Sequence, residues 1–204
     1  MTSYDVHRPV SGDVIDLIVA DHYLMEHLLR QMRDASGDRE AARRAFAAVH
    51  VAHAEAEERH VYPALRKRAE DVGRHEVEHG KEEHAEGTEA LLAVLELKGT
   101  DTQAYEDAVE ELSRLASHHL VEEELTILNP ARDEVSHKAR LELGTLFATE
   151  RARQIDADCG SVENVRKLVD RAKRSGQLPT PQEKVEKAEQ QLEDARREAK
   201  RTTS

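Results

Sequence analysis

The chain has 204 residues, of which 38% are apolar, 3% aromatic and 35% charged, and it carries a net charge of −12 with twelve histidines and one cysteine. A single cysteine excludes an intramolecular disulfide framework and any Cys-rich zinc or iron–sulfur site, and the negative charge argues against nucleic acid as a partner. No apolar run approaches the roughly 20 residues of a membrane helix, and the opening stretch MTSYDVHRPVSGD lacks a basic-then-apolar leader, so a cytoplasmic location is expected.

Ala, Glu, Arg, Leu and Lys recur with helical periodicity and no Asn-Gly or Asp-Gly hairpin signal occurs, so the expected class is all-α. A first helix is expected from Asp13 to Ala35, closed by Ser36-Gly37, and a second from Asp38 to Glu70. A third runs from Arg74 to Lys98 and ends at Gly99, suited to the left-handed position past a helix end. The fourth starts at the cap Asp101 or Thr102 and runs to Leu128, where Asn129-Pro130 interrupts it. A fifth, from Asp133 to Asp156, carries Val135, Leu143, Leu146 and Phe147. Connections this short force neighbouring helices antiparallel, which predicts an up-down-up-down four-helix bundle with additional C-terminal helices.

The domain division expected is a bundle with its fifth helix over residues 1–150 and a charged helical extension over 151–204. Charge marks the change: residues 1–149 hold 17 basic and 31 acidic side chains, and residues 150–204 hold 13 and 11. A helix over Val162–Arg174 is followed by a linker from Ser175 to Pro181. Thr180 and Glu183 then form a capping box with Pro181 at the first helical position. The helix that follows offers a thin stripe of Val185, Ala188, Leu192 and Ala195. That seam suits docking on the bundle, pairing with a second copy of the chain, or fraying in water.

The bundle segment contains a repeat. His53-x-x-x-Glu57-Glu58 and His119-x-x-x-Glu123-Glu124 match each other, and each is followed by a proline, Pro63 or Pro130. Each is also preceded, on the previous helix, by an acidic residue and a histidine: Asp21-His22 and Glu83-His84. At 100° per residue, His22 shares a face with Ile15, Ile18, Met25 and Leu29; His53 and Glu57 share one with Phe46 and Val49. His84 falls with Val77, Leu91 and Leu95, and His119 and Glu123 fall with Tyr105, Leu112 and Leu115. Four histidines and two glutamates therefore aim at the bundle axis.

Buried carboxylates cost several kcal/mol unless paired or bound to metal. His22, His53, Glu57, His84, His119 and Glu123 are thus the candidate metal ligands. Mixed imidazole and carboxylate donors suit iron, zinc or manganese, with copper allowed on affinity. Six ligands exceed what one tetrahedral zinc uses, so two metals are expected, with two histidines each and the glutamates as bridges.

With these residues in place, the chain resembles the haemerythrin-like, or HHE cation-binding, family. The matching elements are Asp21-His22, His53-x-x-x-Glu57-Glu58 ending in Tyr62-Pro63, Glu83-His84 before Leu91-Leu92, and His119-x-x-x-Glu123-Glu124, in order over residues 12–130. The resemblance implies a four-helix bundle holding two iron ions, bridged by the carboxylates and an oxo or hydroxo group, with iron ranked ahead of zinc and manganese. It differs from the oxygen-carrying members, which take two histidines spaced i, i+4 from the third helix and end on an aspartate. Here Gly80 and Thr88 flank His84 at that spacing, and the last pair is His-x-x-x-Glu. This is similar to the bacterial and regulatory branch with four His and two Glu. The resemblance implies reaction with or binding of O2, peroxide or NO, with consumption of peroxide or NO as an enzymatic form. Its alternative is iron or oxygen sensing by a bundle that metal orders.

The remaining polar residues receive plainer readings. Glu58 and Glu124 point about 140° from their motif histidines and are expected to be surface charges. His27, His75, His79, His7 and His137 are off their stripes and expected in solvent, His50 flanks an inward face and is assigned to the surface, and His60 is left open. Tyr23, Tyr62 and Tyr105 are expected in the core with a hydroxyl partner, and Cys159 carries no role.

Overall fold

Short polar side chains start the helices, as the capping pattern leads one to expect. Asp13 accepts the Ile15 N–H at 3.1 Å to open α1 (Val14–Arg33), and Asp38 accepts from Ala41 at 2.9 Å to open α2 (Arg39–Ala56). Thr102 does the same for α5 (Gln103–Glu123), and Ser136 for α7 (His137–Asp156). The remaining helices are α3 (Tyr62–Arg68), α4 (Arg74–Glu96), α6 (Asn129–Glu134) and α8 (Val162–Ser175). Gly99 after α4 and Gly176 after α8 have φ of +80° and +75°, the left-handed conformation that glycine adopts without steric cost. This computed structural model describes residues 4, 6–69, 72 and 74–179, and no strand occurs among them. The helix expected after Pro181, with its seam, lies outside the described residues.

Helices α1, α2, α4 and α5 form the four-helix bundle. Between α2 and α4, the contacts His53–His84, His50–Thr88 and Arg43–Val94 climb one helix as they descend the other, so the pair is antiparallel. Two apolar layers fill the interior. One is built on Met25, Leu28, Phe46, Leu91 and Leu112, the other on Ile15, Ile18, Tyr62, Leu65 and Ile127. His22, His53 and His84 fall in sequence between the residues of the two layers, and His119 lies at the edge of the first, next to Leu120, so the polar level of the bundle is closed from both ends.

Helix α7 lies across α1 and α2 and continues without a break through residue 150 to Asp156. Its crossing over the start of α1 requires Gly144, where an added Cβ would fall 1.9 Å from the Gly12 carbonyl oxygen. Along this helix Leu143 and Phe147 are buried, whereas Leu146 is 47% exposed. The α7 axis sits against two helices at once, and that groove accepts only the face centred on Leu143, Phe147 and Arg151. Helix α8 packs on α4 through Val169, Ala172 and Ala85, and Leu178, inside the expected linker, closes this small cluster.

Two expected helices are divided rather than continuous. The second becomes α2, a π-helical turn over Glu57–Val61, and α3; the fourth becomes α5, a π-helical turn over Glu124–Leu128, and α6. In each, the residue before the proline, Tyr62 or Asn129, donates its N–H five residues back, to the carbonyl of Glu57 or Glu124. A proline ring clashes with the carbonyl four residues earlier. Widening the preceding turn relieves the clash and lets the helix run past Pro63 and Pro130 instead of stopping.

Candidate metal centre

His22, on α1, is 2% exposed; His53 and Glu57, at the end of α2, are 1% and 0% exposed. His84 on α4 and His119 and Glu123 on α5 are equally enclosed. The structure brings all six together. Ring centroids of His22 and His53 stand 5.2 Å apart and those of His84 and His119 4.4 Å apart. Glu57 Oε2 lies 3.1 Å from His53 Nε2 and 3.3 Å from His84 Nε2, while Glu123 Oε2 lies 3.2 Å from His22 Nε2 and 3.8 Å from His119 Nε2. These approaches lack hydrogen-bond geometry. The four Nε2 atoms, both oxygens of Glu57 and Oε2 of Glu123 are buried without a hydrogen-bond partner.

The donor atoms of the six buried residues fall into two groups, His22, His53, Glu57 and Glu123 in one and Glu57, His84 and His119 in the other, each within 4.8 Å. Glu57 belongs to both. An isolated polar atom in a protein interior costs about 1–3 kcal/mol when left without a partner. Seven such atoms converging on one level make a cavity whose natural occupant is a cation.

The opposite face of every imidazole is held by a carboxylate. Nδ1 of His22 meets Glu124 at 2.8 Å, Nδ1 of His53 meets Asp21 at 3.4 Å, Nδ1 of His84 meets Glu58 at 3.2 Å, and Nδ1 of His119 meets Glu83 at 3.0 Å. The pattern respects the repeat. The acidic residue before each first histidine serves the second histidine of its own copy, and the second glutamate of each doublet serves the first histidine of a copy. A carboxylate on Nδ1 fixes the tautomer that presents Nε2 to the centre. Tyr62 adds a further support: its hydroxyl donates to Glu123 Oε1 at 2.8 Å and its ring stacks on His84.

Glu58 and Glu124 are therefore not idle surface charges. Each points away from the motif histidine of its own helix and faces a histidine on a neighbouring helix. Their side chains are 28% and 40% exposed, so they cap the centre from its rim. The doubled Glu-Glu in both copies was the signal that could have found them. His50 also departs from its surface assignment: it is buried, stacks on Phe46 and contacts Thr88 Oγ1 at 3.2 Å. Tyr23, expected in the core, is 66% exposed, and His60 stands half-buried outside both ligand groups.

Burial alone lowers the pKa of an imidazole. At His53 the carboxylates of Glu57 and Asp21 outweigh burial and raise it to about 10, and at His84 Glu57 and Glu58 raise it to about 9. His119 moves downward because burial and the neighbouring His84 prevail over Glu83. Burial would raise Glu57 and Glu123, but the imidazoles around them hold both carboxyls below their ordinary range. Burial raises Asp21 too, and His53 together with Arg151 reverses it; Arg151 clamps Asp21 with bonds of 2.6 and 2.7 Å. Cys159 lies apart from the centre, its thiol pushed up to about 12 by burial, so it is an unreactive packing residue.

The family model for the hemerythrin HHE cation binding domain matches residues 13–131. No curated protein and no solved structure matches the chain.

Proposed function

The chain belongs to the hemerythrin HHE cation-binding domain family and is a metal-binding protein, and from that premise we propose that His22, His53, Glu57, His84, His119 and Glu123 hold two iron ions for encounter with small oxygen or nitrogen species. The observation that carries this reading is the convergence of four imidazole Nε2 atoms and three carboxylate oxygens, all buried and without hydrogen-bond partners. The donor set fits the group, since imidazole and carboxylate together suit iron and a helical bundle can supply them to two ions. Iron, when bound, supplies redox chemistry towards O2, peroxide or NO.

The protein's own contribution is placement. Glu57 neighbours His53 and His84, and Glu123 neighbours His22 and His119, so both carboxylates would hold the ions together with the four imidazoles. Asp21, Glu58, Glu83 and Glu124 accept from Nδ1–H and turn each Nε2 towards the centre. The apolar layers above and below keep bulk water out. A cavity of about 30 Å³ between α2, α4 and α8 touches Glu58 and His84 and has room for a water-sized molecule. The cytoplasm is the location assigned, where the lone thiol of Cys159 stays reduced.

Metal analysis of protein expressed in iron-replete cells tests the reading. About two irons per chain are expected, together with an optical change between anaerobic and aerobic samples. Zinc in place of iron, or iron retained after Glu57→Ala and His119→Ala, would overturn it.

A further inference from the structure

Outside the buried centre, α4 and α5 carry a second crossed pair of His-x-x-x-Glu segments, His79 with Glu83 and His118 with Glu122. All four side chains converge. His79 Nε2 stands 3.7 Å from Glu83 Oε1 and 3.6 Å from Glu122 Oε1, and His118 Nε2 stands 3.6 Å from Glu83 Oε1 and 3.2 Å from Glu122 Oε2. The ligating atoms of His79, Glu83 and Glu122 lie within 4.8 Å of one another. Neighbouring ligands on a tetrahedral zinc are about 3.3 Å apart, given metal–ligand bonds of about 2.0–2.1 Å. The four His–Glu spacings are thus close to those between ligands of a tetrahedral ion, with His79, Glu83 and Glu122 forming the tight cluster and His118 standing beside both glutamates.

The repeat supplies an independent argument. Glu83 is the counterpart of Asp21, since each holds the Nδ1 of the second histidine in its copy. On Asp21 the outward charge is answered by the guanidinium of Arg151, brought in by α7. Where the second copy has His79, His118 and Glu122, the first has Leu17, Ala52 and Ala56, apolar residues that cannot ligate. The second copy thus replaces a protein cation by a set of ligand side chains. Its face is open, with His79 and His118 side chains 42% and 64% exposed at a groove of about 520 Å³. The groove's own cation, Arg114, is committed to Glu111 through two bonds of 2.9 and 2.7 Å.

The geometry points to a second metal site, in which His79, His118, Glu83 and Glu122 bind a divalent cation of tetrahedral preference, zinc foremost, on the outer face of α4 and α5. Glu83 would be shared. Its Oε1 faces the outer cluster while its Oε2 holds Nδ1 of His119, so the outer ion and the buried centre would draw on one carboxylate. The site gives a strongly acidic protein a specific place for a cation that the buried centre does not require.

The test equilibrates the iron-loaded, full-length protein with Zn²⁺, removes excess by gel filtration, and counts iron and zinc per chain. The double variant His79→Ala, His118→Ala and the single variant Glu122→Gln are treated alike. The wild type is expected to retain one more zinc per chain than either variant, with iron content unchanged in all three. Because both metals are counted, zinc displacing core iron is read separately from zinc at the outer site. Equal zinc in wild type and variants, or none in any of them, would overturn the outer site whatever the buried centre holds.

Discussion

Each candidate ligand histidine depends on a carboxylate that does not itself reach the centre. Removing the charge from such a partner in a metal site typically lowers affinity about 10–100-fold. Glu58→Gln and Glu124→Gln are expected to weaken metal binding by that factor, measured by competition with a chromogenic chelator, while Glu142→Gln on exposed α7 leaves it unchanged. A result in which all three behave alike would return Glu58 and Glu124 to plain surface charges. Protons provide a second residue-level handle. His53 and His84 are raised to about 10 and about 9 in metal-free protein, so both carry a proton at neutral pH. Ligation needs neutral imidazoles and must release those protons. Metal affinity should therefore rise with pH from 7 towards 9, about tenfold per pH unit for each proton displaced, and weakly buffered titrations should record acidification. The same shifts affect the metal-free fold with the opposite sign. The stabilisation from His53 and His84 is fully present below about 6.5 and is lost as pH rises through about 9 to 10.

At the scale of elements, α7 does more than cover a groove. Arg151 is 2% exposed and reaches Asp21 with two bonds, and its third nitrogen donates to the His7 carbonyl at 2.9 Å. Breaking a buried ion pair by deleting one partner costs about 3–5 kcal/mol, because the other charge is left enclosed. Arg151→Ala should lower stability by that amount in urea denaturation, with Arg153→Ala, on the exposed side, costing far less. Periodicity predicted this helix through Leu143 and Phe147, yet a charged residue on its inner face has no signature in hydropathy. The π-helical turns show the same division. Pro63 and Pro130 announce an interruption after each motif, but whether the chain stops or widens depends on how the next segment packs. Here α3 and α6 bury Leu65 and Ala131 in the second apolar layer, which favours continuing.

For the molecule as a whole, the polar level between two apolar layers makes folding and metal binding one equilibrium. A ligand present at a thousand times its Kd stabilises the fold by about 4 kcal/mol. Removing metal by chelation under such conditions should lower the melting temperature, and replacing the six buried ligands together by apolar residues of similar size should recover part of the loss. Identical melting curves with and without metal would contradict a buried metal centre. The net charge of −12 also raises the local concentration of cations around the bundle, so loading rates should fall as ionic strength increases.

Legible in the sequence alone were the all-helical class, the helix starts near Asp13, Asp38 and Thr102, and the inward direction of six polar residues. All of these are local properties: phase on a helix needs only the 100° step, and a cap needs only its own first turn. The duplicated motif added that the inward residues come as two matching sets. Tertiary structure decided which carboxylate meets which imidazole. Glu58 reaches His84, Glu124 reaches His22 and Arg151 reaches Asp21 across helix boundaries. It also decided that His79 and His118, off-stripe on their own helices, meet on the outer face of α4 and α5. Such pairings depend on helix register and crossing, which are set by the packing of distant side chains rather than by the spacing of residues along one segment.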